Sequence, residues 1–221
     1  MTGKHHNILH ETQFAGPVSL FAMYTLCNEV CIEAFENYQK RSYRSRYIIA
    51  GPNGEIQLSI PLLKGKNEKK PIKDVEISYQ HPWITQHIHT LSSAYGRAAF
   101  FHHYSSDLFE ILKMKYPTLY ILNWEMINWI IKSLRINIKL SESKEYISQP
   151  KHLIDMRNRF SFKARQSKVE VPFYNQVFED RFGFISDVSI LDLLFCLGPT
   201  SLEYLQHYAV KSWYFKFPDF E

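Results

Sequence analysis

Hydrophobic and polar positions follow different patterns in the two halves of the chain. Near the start, Asn7 to His10 reads as a short strand, and Pro17 stands where a helix can begin. The pattern then predicts a helix from about Val18 to Leu26 and a second apolar strand from Val30 to Glu33. A strand, a helix and a strand in so short a stretch form a βαβ unit. We therefore expect the two strands to be adjacent and parallel.

A β-hairpin should follow the βαβ unit. Arg46 to Ala50 is largely apolar, Glu55 to Pro61 alternates apolar and polar residues, and the Gly-Pro-Asn-Gly stretch between them is typical of a turn. Alternation from Ile72 to Ser78 predicts one more strand. Ligands of parallel α/β units bind at the carboxyl ends of strands, so the segment after Glu33 is where we expect a site.

From residue 81 onward the apolar positions recur at helical spacing. Trp83 to Tyr95 forms an amphipathic stripe that ends at Gly96. A second helix should lie within Arg97 to Lys115, broken at the serine pair that starts with Ser105, and a third within Thr118 to Leu134.

The last part of the chain combines irregular and helical patterns. Ile136 to Leu140 predicts a short strand, and Ser141 to Val171 reads as a polar, irregular excursion. Asp187 should cap a helix over Val188 to Cys196, in which Asp192 faces water and the apolar residues are core. These elements predict one α/β domain over residues 1–221. It should have a small mixed sheet with the βαβ unit and hairpin in residues 1–80 and a largely helical second half.

Composition and charge exclude several classes of protein. The 26 basic and 22 acidic residues give a net charge of +4 without a long basic block, so nucleic-acid binding is not predicted. Cys27, Cys31 and Cys196 are odd in number and lack zinc spacing, which favours a reducing compartment. The longest apolar run near the start, about Pro17 to Cys27, is far below the ~20 residues of a membrane span. A cytoplasmic protein without a membrane span is expected.

The polar connection after the second strand carries the candidate chemistry. It concentrates cationic and aromatic side chains: Tyr38, Lys40, Arg41, Tyr43, Arg44 and Arg46. Arginine binds phosphate or carboxylate through paired hydrogen bonds, and tyrosine can stack on a sugar or a base. Alternatively, Arg44 and Arg46 lie on the outer face of a strand and pair with carboxylates such as Glu33 or Glu36.

Arg97 directly follows the predicted helix end at Gly96. We predict that Lys40, Arg44 and Arg46 converge with Arg97 on one anion site at the carboxyl edge of the second strand. The alternative for Arg97 is that it satisfies the last carbonyl groups of the helix.

The histidines do not predict a metal site. His87 and His89 would project roughly 200° apart on a helix, so they cannot share one ion. His87 lies on the apolar stripe, where it is either a hydrogen-bonded core residue or a general acid or base that lines a cleft. Glu33 is the second candidate catalytic residue, and no cofactor is predicted.

Four segments of the chain form an ordered set of motifs: Glu33 to Arg46, Ile72 to Tyr79, Thr90 to Arg97 with Phe100, and Ile190 to Phe195 with Gly198 and Pro199. In order and content they resemble the bacterial WbqC-like family over essentially the whole chain. Many members carry His-Gln-Pro-x-Tyr-x-Pro after the first strand, whereas this chain has His10 to Pro17 with a different pattern. A role that depends on that segment is not carried over.

The resemblance implies a transferase in surface-polysaccharide (O-antigen) assembly. Combined with the basic connection, it leads us to expect a small anionic substrate: a phosphorylated sugar, a nucleotide-sugar, or an acyl or aminoacyl donor. The alternative is a non-enzymatic protein that uses the same basic face to bind a glycan or a protein partner. The candidate catalytic residues are His87 and Glu33. The candidate substrate-binding residues are Tyr38, Lys40, Tyr43, Arg44, Arg46, Tyr95 and Arg97.

Overall fold

The computed structural model describes residues 6–63, 70–163 and 170–216. The strands are β1 (His6–Glu11), β2 (Cys27–Glu33), β3 (Arg46–Gly51), β4 (Gly54–Ser59), β5 (Lys139–Glu142) and β6 (Ile154–Asp155). The α-helices are α1 (Val18–Tyr24), α2 (Trp83–Tyr95), α3 (Phe101–Lys113), α4 (Leu119–Leu134), α5 (Glu179–Phe182), α6 (Ile190–Leu197) and α7 (Ser201–Lys216). Short 3-10 helices cover Ile72–Asp74 and Gly198–Thr200.

A four-stranded parallel sheet with the order β5-β2-β1-β6 lies at the centre of the protein. The predicted βαβ unit is confirmed, because β1 and β2 are adjacent and parallel with Ile8 opposite Val30. Both residues are fully buried, as is typical of parallel sheets covered on both faces. The predicted hairpin is also confirmed, but β3 and β4 form a separate two-stranded antiparallel sheet. The protein is therefore of mixed α/β class.

The N-terminus of α1 is held by a residue far along the chain. Both carboxylate oxygens of Asp187 accept hydrogen bonds from Ser19, one from the backbone N–H and one from the hydroxyl, each at 2.9 Å. The prediction that Asp187 caps the helix after it is wrong. Ser189 is the N-cap of α6, and its hydroxyl accepts from the N–H of Leu191 at 3.4 Å.

The helical second half is confirmed, with one difference in α3. That helix runs without interruption through Ser105, where we had expected a break. Ser105 lies on the packed face together with Tyr104, Leu108 and Leu112, all of them buried. Packing of this face outweighs the weak helix preference of the serine pair.

Two predicted strands differ in the structure. Ile72 to Ser78 begins with a 3-10 turn, and the rest of it makes isolated bridges, Leu62 with Ile77 and Glu76 with Thr118. The strand expected at Ile136 starts later, at β5, where it pairs with β2. The polar excursion after it contains β6, and residues 164–169 of that excursion lie outside the described residues.

The core prediction for α6 is confirmed, except at one residue. Leu194 and Phe195 are fully buried, but so is Asp192, which we had expected to face water. Its carboxylate accepts hydrogen bonds from the hydroxyl groups of Tyr95 and Tyr174, both at 2.7 Å, and from Gln176 Nε2 at 3.0 Å. The segment that carries Tyr174 and Gln176 covers Asp192. Burial raises the pKa of Asp192 to about 6, although the three hydrogen bonds oppose this rise.

Candidate functional site

The carboxyl ends of three parallel strands meet at one edge of the central sheet. β1 ends at Glu11, β2 at Glu33 and β6 at Asp155, so three carboxylates stand at neighbouring strand ends. The chain continues from each of them into an irregular segment. This is the edge at which parallel α/β proteins bind ligands.

Arg44 is buried at this edge and pairs with Glu36. Its Nε donates to Glu36 Oε1 at 2.7 Å and its Nη2 to Glu36 Oε2 at 2.5 Å, which makes the pair bidentate. Arg44 is 1% exposed. Its Nη2 also donates to Asn158 Oδ1 at 3.2 Å, so Arg44 joins the segment after β2 to the segment after β6. Burial raises the pKa of Glu36, and the hydrogen bonds from Arg44 oppose that rise.

A second buried carboxylate, that of Glu11 at the end of β1, also holds the segment after β6 in place. One of its oxygens accepts from the N–H of Asn158 at 2.7 Å and the other from Gln13 Nε2 at 2.9 Å. Burial opposes ionisation of Glu11, but the nearby His10 and Arg44 together with these hydrogen bonds outweigh it and lower its pKa.

His10 lies beneath this network and is inaccessible to solvent. Its Nδ1 is 3.2 Å from the hydroxyl of Tyr24, its Nε2 is 3.5 Å from Glu11 Oε2, and its ring packs edge-on against Tyr24 and Phe160. Burial lowers the pKa of His10, so the imidazole is neutral near pH 7.

Glu33, one of the candidate catalytic residues, is fully buried and organises the surrounding loops. One oxygen accepts from Ser143 Oγ at 2.7 Å and from the N–H of Phe35 at 3.0 Å. The other accepts from the N–H of Ile147 at 3.0 Å and from Arg157 Nη1 at 3.3 Å. A carboxylate with four donors is held in place, which explains its position in structural terms.

Arg157 links two of the strand-end carboxylates. Its Nε and Nη2 donate to the carboxylate of Asp155, and the shortest of these hydrogen bonds is 2.6 Å. Its Nη1 donates to the carbonyl of Ile147 at 2.8 Å and to Glu33. The ring of Tyr146 lies 5.4 Å from the guanidinium carbon, within the range of a cation–π contact. The hydrogen bonds from Arg157 lower the pKa of Asp155, although burial opposes this shift.

These groups form the floor and walls of a cleft of about 580 Å³. Its lining combines aromatic, amide, carboxylate and guanidinium groups, a mixture suited to a polar ligand with several hydroxyl groups. We call it the strand-end cleft. It is lined by Phe35, Glu36, Asn37, Tyr38, Gln39, Tyr146, Asp155, Arg157 and Asn158.

The predicted basic connection surrounds this cleft but does not form one cluster of cations. Tyr38 lines the cleft, and its hydroxyl lies 2.8 Å from Ser45 Oγ. Tyr43 is buried and stacks on Phe162 with ring centroids 4.3 Å apart. Lys40 is exposed next to the cleft residue Gln39, and Arg46 is half-buried at the start of β3. Each of these ligand-binding roles stays a prediction.

The remaining candidates lie along α2, which runs beside β3. Near the start of both elements, His87 lies with Nδ1 3.1 Å from the Tyr47 hydroxyl. Near their ends, the hydroxyl of Tyr95 accepts from the N–H of Ala50 at 3.2 Å. This direction places the exposed Arg97 beyond the end of β3 that is farther from Arg44. Tyr95, Arg97 and His87 are not among the residues that line the strand-end cleft.

His87 has the contacts of a core residue. Its Nε2 lies 3.2 Å from the carbonyl oxygen of Ser59, and it is 3% exposed. Burial lowers its pKa to about 4, so it is neutral near pH 7. A catalytic role for His87 stays a prediction.

Of the residues that line the strand-end cleft, sequence reasoning named only Tyr38 as a candidate site residue. Asp155, Arg157 and Asn158 come from the far side of a long polar excursion, and the β6 strand that places them has two residues. One signal was available at β1, whose buried end carries polar side chains that continue past the strand, from His10 to Gln13; Glu11 there bonds to Asn158. In the described ranges, no group of three His, Cys, Asp or Glu residues could hold a metal ion. Across the same ranges, no helix has the length and apolar character needed to span a membrane.

Comparison with known proteins identifies the family. The model of the family described as "WbqC-like protein family" matches residues 13–165, which include every residue that lines the strand-end cleft. The chain belongs to the WbqC-like protein family. This chain is also similar to the uncharacterized protein Rv1507c of Mycobacterium tuberculosis (strain ATCC 25618 / H37Rv), with 26% identity over 213 residues. That match covers 85% of this chain and 91% of the Mycobacterium protein. No solved structure matches the chain.

Proposed function

We propose that this WbqC-like protein is a cytoplasmic transferase that binds a phosphorylated or nucleotide-linked sugar in the strand-end cleft during formation of a bacterial surface polysaccharide. The observation that carries the proposal is the cleft itself, a mixed polar and aromatic cavity at the carboxyl edge of a parallel sheet. Cys27, Cys31 and Cys196 are all free thiols, in keeping with a reducing compartment.

The charges of the cleft suit a sugar in the interior and a phosphate at the rim. Inside, the guanidinium of Arg157 is offset by Asp155, and that of Arg44 by Glu36, so the interior offers polar groups without a strong net charge. Lys40 and Arg41 are exposed directly after Gln39, which lines the cleft. Cations at that place favour a ligand whose anionic part extends outward.

A transfer reaction needs a group that accepts the proton of the attacking hydroxyl or amine. Of the two carboxylates that line the described cleft, Glu36 and Asp155, burial raises the pKa of Glu36, whereas the pKa of Asp155 is lowered. Of the two, Glu36 is the candidate base, and it can act only where the acceptor displaces one of its two bonds to Arg44.

One observation favours a second candidate, a non-enzymatic sugar-binding protein. Glu36, Asp155 and Arg157 already hydrogen bond to partners within the protein. A cleft whose charged groups satisfy one another can bind a neutral sugar through its amide and aromatic side chains without activating it.

Thermal-shift measurements with nucleotide-sugars, sugar phosphates, acyl-CoA and aminoacyl compounds test the binding step, because a ligand of the folded state raises the melting temperature. A nucleotide-sugar or sugar phosphate should give a shift that Tyr146→Ala reduces. Tyr146 is 56% exposed, so this variant should fold. Phe173→Ala, which removes a ring that is 63% exposed outside the cleft lining, is the matched control and should keep the full shift.

Incubation of the binding compound with the protein, followed by mass spectrometry, separates the two candidates. Turnover of the binding compound by the unaltered protein in the presence of a sugar acceptor supports the transferase. Binding without turnover in the presence of sugar acceptors supports the binding protein. If no sugar compound shifts the melting temperature, both candidates are wrong.

A further inference from the structure

A second cleft, of about 620 Å³, opens beside the strand-end cleft at the end of β5. It differs in character, because the exposed surface of its lining is mainly apolar although several lining residues are polar. We call it the β5 cleft. It is lined by Lys73, Thr118, Tyr120, Ile121, Trp124, Ser141 and Glu142.

Trp124 is the partly exposed aromatic side chain in the lining of the β5 cleft. Tyr120, one helical turn earlier on α4, is buried; its ring stacks nearly parallel to that of Trp124, with centroids 6.3 Å apart, and Lys73 Nζ lies 5.3 Å from its centroid. The Trp124 ring, held in place by Tyr120, fits the flat, C–H-rich face of a pyranose ring, which is apolar while its edges carry hydroxyl groups.

The β5 cleft also has polar groups that could hydrogen bond to the hydroxyl groups of a sugar. Lys73 Nζ lies 3.4 Å from Glu142 Oε2, and the same oxygen accepts from the Tyr120 hydroxyl at 2.9 Å. The hydroxyl oxygen of Thr118 is buried and has no hydrogen-bond partner among the described residues. Because Lys73 and Glu142 offset each other, the cleft favours a neutral ligand over a charged one.

The two clefts are neighbours on one face of the protein. Phe35 lines the strand-end cleft, and Lys73 of the β5 cleft lies with Nζ 4.8 Å from the Phe35 ring centroid. β2 and β5 are adjacent in the sheet, so both clefts open at the same carboxyl edge. A chain of sugar units can therefore extend from one cleft across Phe35 into the other.

We infer that the β5 cleft binds a neutral oligosaccharide, with one sugar ring stacked on Trp124, and that it holds the glycan acceptor of the transfer reaction. The acceptor role rests on the proposed function, whereas oligosaccharide binding does not. Together the clefts give a donor at the strand-end cleft and an acceptor that approaches from β5.

Saturation-transfer NMR with linear tetrasaccharides of glucose, galactose and N-acetylglucosamine tests this inference. At least one of them should bind, and Trp124→Ala should weaken its binding by about tenfold or more through loss of the stacking face. Trp124→Phe keeps an aromatic face and should retain most of the affinity. Phe182→Ala, an exposed ring outside the β5 cleft lining, is the control and should bind as the unaltered protein does.

Trp124 is partly buried, so a second variant guards against loss of folding. Ile121→Arg changes a side chain that is 39% exposed and fills the cleft with a long cation. It should abolish tetrasaccharide binding with little change in the melting temperature. The inference is overturned if none of the three tetrasaccharides binds, or if binding persists in both Trp124→Ala and Ile121→Arg.

Nucleotide-sugar binding separates this inference from the proposed function. Both β5-cleft variants should keep the thermal shift of the strand-end ligand, because neither side chain lines that cleft. Tetrasaccharide binding without any strand-end ligand would refute the proposed transferase and the acceptor role but leave the oligosaccharide site intact. Binding of a strand-end ligand without tetrasaccharide binding would refute the oligosaccharide site and leave the proposed transferase intact.

Discussion

Replacing Arg44 tests whether this residue is part of the framework or a free ligand-binding cation. If Arg44 were part of the anion site predicted from the sequence, Arg44→Ala would abolish ligand binding and leave stability nearly unchanged or slightly raised. The structure predicts the opposite effect on stability, because the guanidinium is 1% exposed and bonds to both oxygens of Glu36. Removing one member of a buried ion pair leaves the other uncompensated and typically costs about 3–5 kcal/mol.

Arg44→Met is the sharper substitution, since it keeps most of the buried volume. The free energy of unfolding from urea titration should fall by about 3–5 kcal/mol at pH 8. Loss of the opposing hydrogen bonds should raise the pKa of Glu36 further, so that the native state of the variant binds a proton that the unfolded state has released. The stability deficit should therefore be smaller at pH 5 than at pH 8.

Two comparisons complete this test. The double variant Glu36→Met with Arg44→Met should recover much of the lost stability, because no charge is left buried without a partner. Arg46→Ala, at a half-buried position, should change stability by less than about 1 kcal/mol. An Arg44→Met protein as stable as the unaltered one would refute the framework role, and loss of ligand binding in that stable variant would restore the original prediction.

Three further predictions concern the core. Leu194→Ala should lower the free energy of unfolding by about 2–5 kcal/mol, with exposed Met114→Ala as a near-neutral control in the same urea titration. His87, with a pKa lowered from 6.5 to about 4, should cost about 3 kcal/mol of stability as pH falls through that interval; stability–pH profiles of His87→Gln, which lacks this loss, measure it by difference. Asp192, with a pKa raised from 3.8 to about 6, should act oppositely and cost about 3 kcal/mol as pH rises through its interval. Calorimetry of Asp192→Asn should show that this pH dependence is absent, and an unchanged slope would refute the assignment.

The parts of the fold that could be predicted are those with a clear local pattern. β1, α1 and β2 are short apolar segments separated by a few residues. A strand, a helix and a strand so close together along the chain imply a parallel pair of strands. α2 to α4 were visible because the apolar stripe of each has the helical period. The packed face of α3 nevertheless overrode the serine pair at Ser105, which shows that tertiary packing outweighs local preference.

The sequence left the roles of the cleft charges open. The pairing of Arg44 with Glu36 was one of two alternatives drawn from the sequence, and the structure shows that pair. Its burial was not predicted, because charged residues are almost never fully buried unless paired. Arg157 and Asp155 look like surface charges until β6 pairs with β1 and brings them to β2. Asp192 was misplaced for the same reason, since the tyrosines that bury it come from segments 97 residues before it and 18 residues before it.

Two paired arginines, Arg44 and Arg157, explain why the strand-end cleft has a fixed shape although irregular segments form it. Arg44 connects Glu36, which follows β2, to Asn158, which follows β6. Arg157 connects Asp155 at the end of β6 back to Glu33 at the end of β2. The segments on both sides of the cleft are thus cross-linked before any ligand arrives, and binding does not have to supply the entropy cost of ordering them. If the cleft binds a sugar as proposed, each arginine acts by positioning the amide and aromatic groups of the lining, while its own charge is paired with a carboxylate.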